Sequence, residues 1–139
     1  MNAIDTNVFV YLIDHTEPDK QQRAAELIQQ ARQDRGSTLL PWQVAGEYLN
    51  CLRRWEREGR LPTNDVEPYL SRVTRLFPLA FPTSQVLTIS LDLTSRYSLS
   101  HWDSMLLAAC VDAGVDTLYS EDLDNGMTYD SVTVVNPFA

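Results

Sequence analysis

Apolar positions along the chain alternate between short runs and longer stretches with helical spacing. Residues 20–33 and 42–57 repeat apolar side chains every three or four positions, which predicts amphipathic helices. Segments 66–77, 84–97 and 100–114 also predict helices, and the last is apolar nearly all round, as buried helices are. The short runs predict strands: MNAID, STLLP, PLAFP, DTLYS and SVTVVN. This alternation predicts a three-layer α/β/α domain with a mostly parallel central sheet.

The first apolar segment, NAIDTNVFVYLI, is interrupted by Asp5, Thr6 and Asn7. Residues 6–13 fit either a continued strand or the start of a helix, because periodicity alone does not separate the two. A buried carboxylate is costly unless it is paired or binds a metal. A local explanation for Asp5 is that it caps a following helix.

Composition narrows the class of protein. The chain has 139 residues, 44% of them hydrophobic and 22% charged, which fits one globular domain over residues 1–139. No apolar stretch approaches the roughly 20 residues that span a membrane. The chain begins without the basic region of a secretory signal, and Cys51 and Cys110 lack metal or redox spacing. We therefore expect a cytoplasmic protein without a membrane segment.

Charge argues against simple electrostatic binding to nucleic acid or anionic lipid. The chain carries 19 acidic and 11 basic residues, a formal net charge of −8. Arg53, Arg54, Arg57 and Arg60 cluster near the end of one predicted helix, where they fit a solvated helix face. A carboxylate-rich site that recruits cations would still allow a nucleic-acid enzyme.

Four acidic residues lie where strands of such a sheet end or where helices begin. Asp5 follows the first strand, Asp122 follows DTLYS, Asp103 opens the last helix, and Glu47 lies one turn into helix 42–57. Ligands of parallel sheets bind beyond the carboxyl ends of the strands. Carboxylate oxygens suit Mg²⁺ and Mn²⁺, which activate water and clamp phosphates. The pattern therefore indicates one metal site, provided that the four acids converge.

Each acid also has a local explanation. Asp103 completes a Ser100-x-x-Asp103 capping box and favours the positive end of a helix dipole. Glu47 alone is typical of a solvated helix residue. Asp122 and Asp124 suit a turn. Competing catalytic sets are weaker, because the two histidines lack zinc spacing and no glycine-rich phosphate loop or GxSxG motif occurs.

The segments IDTNVFVYLID, LSHWDSMLLAAC and LYSEDLDNGM, with Glu47 on an internal helix, occur in the order found in PIN-domain ribonucleases. The chain resembles this family over about residues 3–137 and most resembles the VapC-type toxins of type II toxin–antitoxin pairs. The resemblance implies a PIN-like fold in which residues 6–13 are a helix. It also implies catalytic and metal-binding roles for Asp5, Glu47, Asp103 and Asp122.

Three further residues match supporting positions of the family. Asn7 corresponds to the asparagine that orders the loop around Asp5, and Ser120 to the hydroxyl residue before the last aspartate. Asp124 lies where some members carry another acid and others do not. We treat all three as supporting residues of the expected site.

The resemblance implies a metal-dependent endoribonuclease that hydrolyses structured RNA with Mg²⁺ or Mn²⁺ and leaves a 3′-hydroxyl and a 5′-phosphate. It also implies a cognate antitoxin protein and a homodimer. The arginine cluster at 53–60, with Arg72 and Arg75, becomes a candidate surface for RNA or for the rim of a dimer.

Two alternatives remain open at this point. One is a non-catalytic PIN-like module that mediates protein interaction. The other is a phosphatase of the haloacid dehalogenase type, which would need a second aspartate where this chain has Asn7 and a catalytic lysine that is not evident.

Overall fold

The computed structural model describes residues 1–34 and 36–139, which form six α-helices and one six-stranded sheet. The helices are α1 (Thr6–Ile13), α2 (Pro18–Gln33), α3 (Trp42–Arg57), α4 (Val66–Leu76), α5 (Gln85–Tyr97) and α6 (His101–Asp112). The strands are β1 (Asn2–Ile4), β2 (Thr38–Pro41), β3 (Leu79–Ala80), β4 (Thr117–Tyr119), β5 (Thr128–Tyr129) and β6 (Val132–Val135). The predicted α/β class is confirmed.

The sheet has the strand order β3-β2-β1-β4-β6-β5. Every neighbouring pair is parallel except β5 and β6, which form an antiparallel hairpin. In the centre, Ala3 of β1 lies opposite Leu39 of β2 and Leu118 of β4. The mostly parallel sheet is therefore confirmed, with one short antiparallel strand at its edge.

The connections explain how the layers form. The chain steps from β1 to β2 to β3 in one direction and then crosses back to β4 on the other side of β1. Right-handed crossovers place α1–α4 on one face and α5 with α6 on the other. The packing agrees, because α1 contacts α2 and α3, whereas α5 and α6 pack on each other. The strand order reverses between β1 and β4, and sheets of this kind bind ligands at the carboxyl ends of such strands; we call this region the crevice.

Residues 6–13 form a helix, as the family resemblance implies. Val8 and Phe9 are buried, and the Phe9 ring lies 6.4 Å from that of Tyr48 in α3 and 6.5 Å from that of Phe77. Tertiary packing thus overrides the β-propensity of this segment. Because α1 begins directly after β1, Asp5, which lies between the strand and the helix, is held at the crevice.

Helix α6 is buried along most of its length, as its apolar sequence predicts. Leu106, Leu107 and Cys110 are buried, and Gly114 follows the helix with a φ of 74° that favours glycine. Trp102 departs from the expectation, because it is exposed. Among the described residues, no helix is long and apolar enough to cross a membrane.

Candidate active site at the carboxyl edge of the sheet

Asp5 lies directly after β1, and its side chain is buried. Its backbone N–H donates to the carbonyl of Tyr119 in β4 at 2.9 Å. One carboxylate oxygen accepts from the backbone N–H of Thr6 at 2.7 Å, so Asp5 does cap α1. The other accepts from the Ser120 hydroxyl at 2.7 Å. Asp5 therefore caps a helix and also joins the ends of two neighbouring strands.

Glu47 of α3 is held by one donor from α1 and one from its own helix. Its Oε2 accepts from the hydroxyl of Thr6 in α1 at 2.6 Å, and its Oε1 accepts from Nε2 of Gln43 at 2.8 Å. The same Gln43 nitrogen donates to the backbone carbonyl of Trp102 in α6 at 3.2 Å. The view of Glu47 as a solvated helix residue is therefore wrong, since donors fix both of its oxygens.

Asp122 belongs to the same group of side chains. Asn7 donates to its Oδ2 at 3.0 Å, and its own backbone N–H donates to the Ser120 hydroxyl oxygen at 3.1 Å. Ser120 in turn donates to Asp5. The two supporting residues Asn7 and Ser120 thus connect the segments after β1 and β4, although their roles in catalysis stay a prediction.

Asp124 lies apart from these contacts. Its backbone carbonyl accepts from the N–H of Met127 at 3.1 Å, and Gly126 has a φ of 82°. Asp124 is exposed in this turn. The turn explanation therefore describes Asp124, whereas Asp122 faces the other acids.

Asp103 lies in the first turn of α6, where its backbone N–H donates to the Ser100 hydroxyl oxygen at 3.3 Å. This contact is one half of the predicted capping box. Within residues 1–34 and 36–139, no hydrogen-bond donor holds the Asp103 carboxylate. The carboxylate is near enough to Asp122 for its charge to raise the pKa of that residue, so it is available to the crevice.

The electrostatics of the group reflect burial and repulsion. Burial raises the pKa of Asp5 to about 6, and the charges of Asp122 and Glu47 add to the rise, while hydrogen bonds from Ser120 and Thr6 oppose it. Asp122 is exposed at the rim, yet its carboxyl loses part of its hydration. That loss, with the charges of neighbouring acids, raises its pKa. Negative charge is therefore under-compensated in the crevice.

Sequence reasoning missed Glu121, which borders this group. Its carboxylate accepts from the Tyr11 hydroxyl, from Lys20 Nζ at 3.2 Å and from Asn7 at 3.5 Å. Lys20 also donates to the Tyr11 oxygen at 3.0 Å. Glu121 thus fixes Asn7, which in turn holds Asp122. The charge pair between Lys20 and Glu121 spans 101 positions of sequence, so no local pattern reveals it.

The donor set can be tested against a divalent cation. In the described part of the chain, no three His, Cys, Asp or Glu side chains form a ready-made cage for a metal ion. Mg²⁺ keeps several waters and needs only one or two carboxylates besides substrate phosphates. The carboxylates of Asp5 and Asp122, whose pKa values are both raised, suit such an ion, because a cation relieves the repulsion between them. The residues therefore fit Mg²⁺ or Mn²⁺.

Comparison with known proteins adds independent information. The fold is similar to that of VapC20 from Mycobacterium tuberculosis, a sarcin–ricin loop cleaving toxin, with a TM-score of 0.64 and 15% identity over 88% of this chain and 90% of that chain. It is also similar to a toxin–antitoxin complex from Klebsiella pneumoniae, with a TM-score of 0.67 and 15% identity over 99% and 98% of the two chains.

At this identity the likeness concerns the fold alone, and no curated protein sequence matches the chain. The sequence itself matches the PIN domain family over residues 3–126, which is most of its length. The expected family is thus confirmed, and this chain belongs to the PIN-domain family.

Proposed function

We propose that this chain is a metal-dependent endoribonuclease of the VapC type, a toxin that hydrolyses phosphodiester bonds in structured RNA. The observation that carries the proposal is the hydrogen bonding through Thr6, Ser120 and Asn7, which links Asp5, Glu47 and Asp122 at the carboxyl ends of β1 and β4, with the charge of Asp103 acting on Asp122. These acids come from four distant parts of a PIN-domain chain. A purely local role for each of them would not require that they meet.

In this proposal Asp5 and Asp103 are the central ligands of Mg²⁺ or Mn²⁺, and Asp122 supports the same ion or a second one. Glu47 binds metal or orients the attacking water. When bound, the cation supplies a Lewis acid that lowers the pKa of water and neutralises charge on the phosphate. The donors to Glu47 and Asp5 keep these carboxylates in place before substrate arrives.

The substrate and partners follow from the proposed reaction. Single-stranded loops of structured RNA expose the backbone that such a site must reach. VapC20 cleaves the sarcin–ricin loop and the Klebsiella structure is a toxin–antitoxin complex, which supports an RNA substrate and a cognate antitoxin here. The proposal also includes a homodimer. It places the chain in the cytoplasm, where buried free thiols such as Cys51 and Cys110 stay reduced.

Cleavage of RNA by the purified chain tests the proposal. The protein, freed of any antitoxin, is incubated with total RNA in Mg²⁺, in Mn²⁺ and in a chelator. We expect discrete cuts that require the metal and disappear in Asp5→Ala and Asp103→Ala. Asp19→Ala, which removes an exposed acid from the first turn of α2, serves as the matched control and should cut like the wild type.

Equal cutting by the Asp5 and Asp103 variants would point to a contaminating nuclease and overturn the site assignment. No cutting under any condition, combined with tight binding to a protein partner, would favour the non-catalytic interaction module instead.

A further inference from the structure

An apolar cavity of about 220 Å³ lies beside the acidic crevice. Its walls come from the end of β2, the start of α3, the segment after β3, and α6. Three large aromatic residues of its lining remain exposed, Trp42 at 52%, Phe81 at 67% and Trp102 at 62%. Contiguous exposed apolar surface of this kind marks binding sites more often than it serves folding.

The cavity and the crevice share a wall. Trp102 directly precedes Asp103, and Gln43 directly follows Trp42. Gln43 lines the cavity while its Nε2 donates both to Glu47 and to the backbone carbonyl of Trp102. A group seated in the cavity would therefore lie next to the proposed catalytic carboxylates.

The exposed rings form a surface for stacking. The rings of Trp42 and Phe81 have centroids 5.3 Å apart and an interplanar angle of 34°, and Trp102 contributes a further ring to the lining. A ring pair at this centroid separation is in favourable aromatic contact. Among the described residues that line the cavity none is charged, and Gln43 supplies an amide.

We infer that this cavity binds a nucleobase of the RNA strand next to the scissile phosphate, stacked on Trp102 and on the Trp42–Phe81 pair. The inference rests on the proposed ribonuclease function and adds a base-binding subsite to it. RNA-binding proteins hold unstacked bases on aromatic side chains in this way.

Charge and shape favour a base over a phosphate. An uncharged aromatic lining matches the flat, uncharged face of a base and offers no positive charge to a phosphate. The chain has a net charge of −8, so general attraction to the RNA backbone is weak and stacking would supply affinity that salt does not screen. The Gln43 nitrogen is already committed to two acceptors. Its Oε1 can therefore accept from an exocyclic amino group, which favours adenine, cytosine or guanine over uracil.

Binding of a short fluorescein-labelled single-stranded RNA of mixed sequence, measured in a chelator so that metal-dependent cleavage is off, tests the subsite. Trp102→Ala and Phe81→Ala should each weaken binding by about tenfold or more, and Trp102→Phe should recover most of the loss because it keeps a ring. Leu91→Ala is the matched control, since Leu91 is an apolar side chain that is 74% exposed and lies outside this cavity. It should bind like the wild type.

Abasic RNAs show whether ring and base touch. Removing the base at one position of the RNA should weaken binding to the wild type by at least as much as Trp102→Ala does, because the base also stacks on the Trp42–Phe81 pair. The same removal should weaken binding to Trp102→Ala by less than it weakens binding to the wild type, because one stacking partner is already absent.

The outcomes separate this inference from the proposed function. RNA affinity unchanged in both alanine variants, with metal-dependent cleavage intact, would overturn the base site and leave the ribonuclease standing. No cleavage by the wild type, together with the expected losses of RNA binding, would overturn the ribonuclease and keep a base site. Unchanged RNA binding with a sedimenting dimer that Trp102→Ala or Phe81→Ala disrupts would assign the surface to contact between two copies and contradict the base site.

Discussion

The two ends of helix α3 differ in how their polar groups are held. At its start, Glu47 accepts from Thr6, 41 positions away, and Gln43 donates to the backbone of Trp102, 59 positions away. At its end, the contacts of the arginines are mostly local. Arg54 donates to Cys51 one turn back at 3.6 Å, and the guanidinium of Arg60 stacks over the nearby Trp55 ring at 4.1 Å.

The comparison shows that convergence, and not charge density, distinguishes the candidate site. The acidic end is assembled by three separate parts of the chain, whereas Arg53 and Arg57 at the other end are simply exposed. One distant contact exists there, a 3.7 Å ion pair between Arg60 and Asp14. At 3.7 Å, and with the Arg60 side chain 44% exposed, this pair contributes little. The prediction of a solvated arginine face fits this geometry, and contact of these arginines with RNA stays a prediction.

The strongest test of the contrast replaces one glutamate at each end of α3. Glu47→Gln keeps the shape of the side chain but removes its charge, and we expect RNA cleavage to fall by more than about 100-fold. Glu58→Gln, at the exposed C-terminal end of the helix, should cut within about twofold of wild type. Similar rates for both variants in a single-turnover assay would remove the distinction between the two ends.

Stability without metal should depend on pH through Asp5. The folded state holds this proton more tightly, with a pKa of about 6 against the ordinary 3.8 of an aspartate. Asp5 therefore contributes up to about 3 kcal/mol to the free energy of unfolding, a contribution that is fully present below about pH 4 and is lost as pH rises through about 6. Asp5→Asn should remove most of this fall and be more stable than wild type near pH 7.

Urea unfolding at several pH values in a chelator measures this effect. Part of the fall should persist in Asp5→Asn, because the pKa of Asp122 is also raised, while the lowered pKa values of Asp14 and Asp130 act in the opposite direction in wild type and variant alike. Asp19→Asn should keep the wild-type slope. If the free energy of unfolding of Asp5→Asn changes with pH as much as that of the wild type, Asp5 is not the source of this pH dependence.

A smaller effect should follow from loosening Glu47 without touching its charge. Thr6→Val keeps the shape of a buried side chain but removes the 2.6 Å hydrogen bond to Glu47. We expect cleavage to fall several-fold and stability to fall by about 1 kcal/mol. Thr16→Val, which removes an exposed hydroxyl contact to Asp14, is the control. An unchanged rate in Thr6→Val would mean that Glu47 needs no positioning.

The smallest effects should come from the arginine end. Arg53→Ala and Arg57→Ala should change stability by less than about 0.5 kcal/mol. If neither contacts a phosphate, the dependence of RNA binding on salt should also be unchanged. RNA affinity decreases as salt increases. If either variant makes the slope of log affinity against log salt shallower by about 0.7, that arginine contacts an RNA phosphate.

The sequence predicted much of the fold because its signals are local. Apolar spacing over many residues predicts α3, a segment that is apolar nearly all round predicts α6, and the rule for strand ends predicts Asp5 and Asp122 at one edge. The two-residue strand β5 carries no periodicity and was not predicted. The helical state of residues 6–13 came from family resemblance, since their packing against α3 is set by distant residues.

The part of the site that depends on distant partners could not be predicted. Glu121 contacts Tyr11 and Lys20, which lie 110 and 101 positions away, and no local pattern marks the three as neighbours. Trp102 belongs to a segment whose apolar pattern predicts burial, yet it is exposed beside the crevice. The local sequence indicates how many apolar side chains an element carries. The tertiary structure determines which of those side chains remain exposed to solvent.

Titration of Mn²⁺ into the chain by calorimetry tests the central claim that four distant acids act as one metal site. We expect Asp103→Asn to weaken Mn²⁺ binding by about tenfold or more, since Asp103 would lose its place among the ligands. The same substitution leaves the backbone contact of residue 103 with Ser100 available, so α6 should remain capped. Mn²⁺ affinity equal to that of wild type would return Asp103 to a role at the helix start and contradict the account.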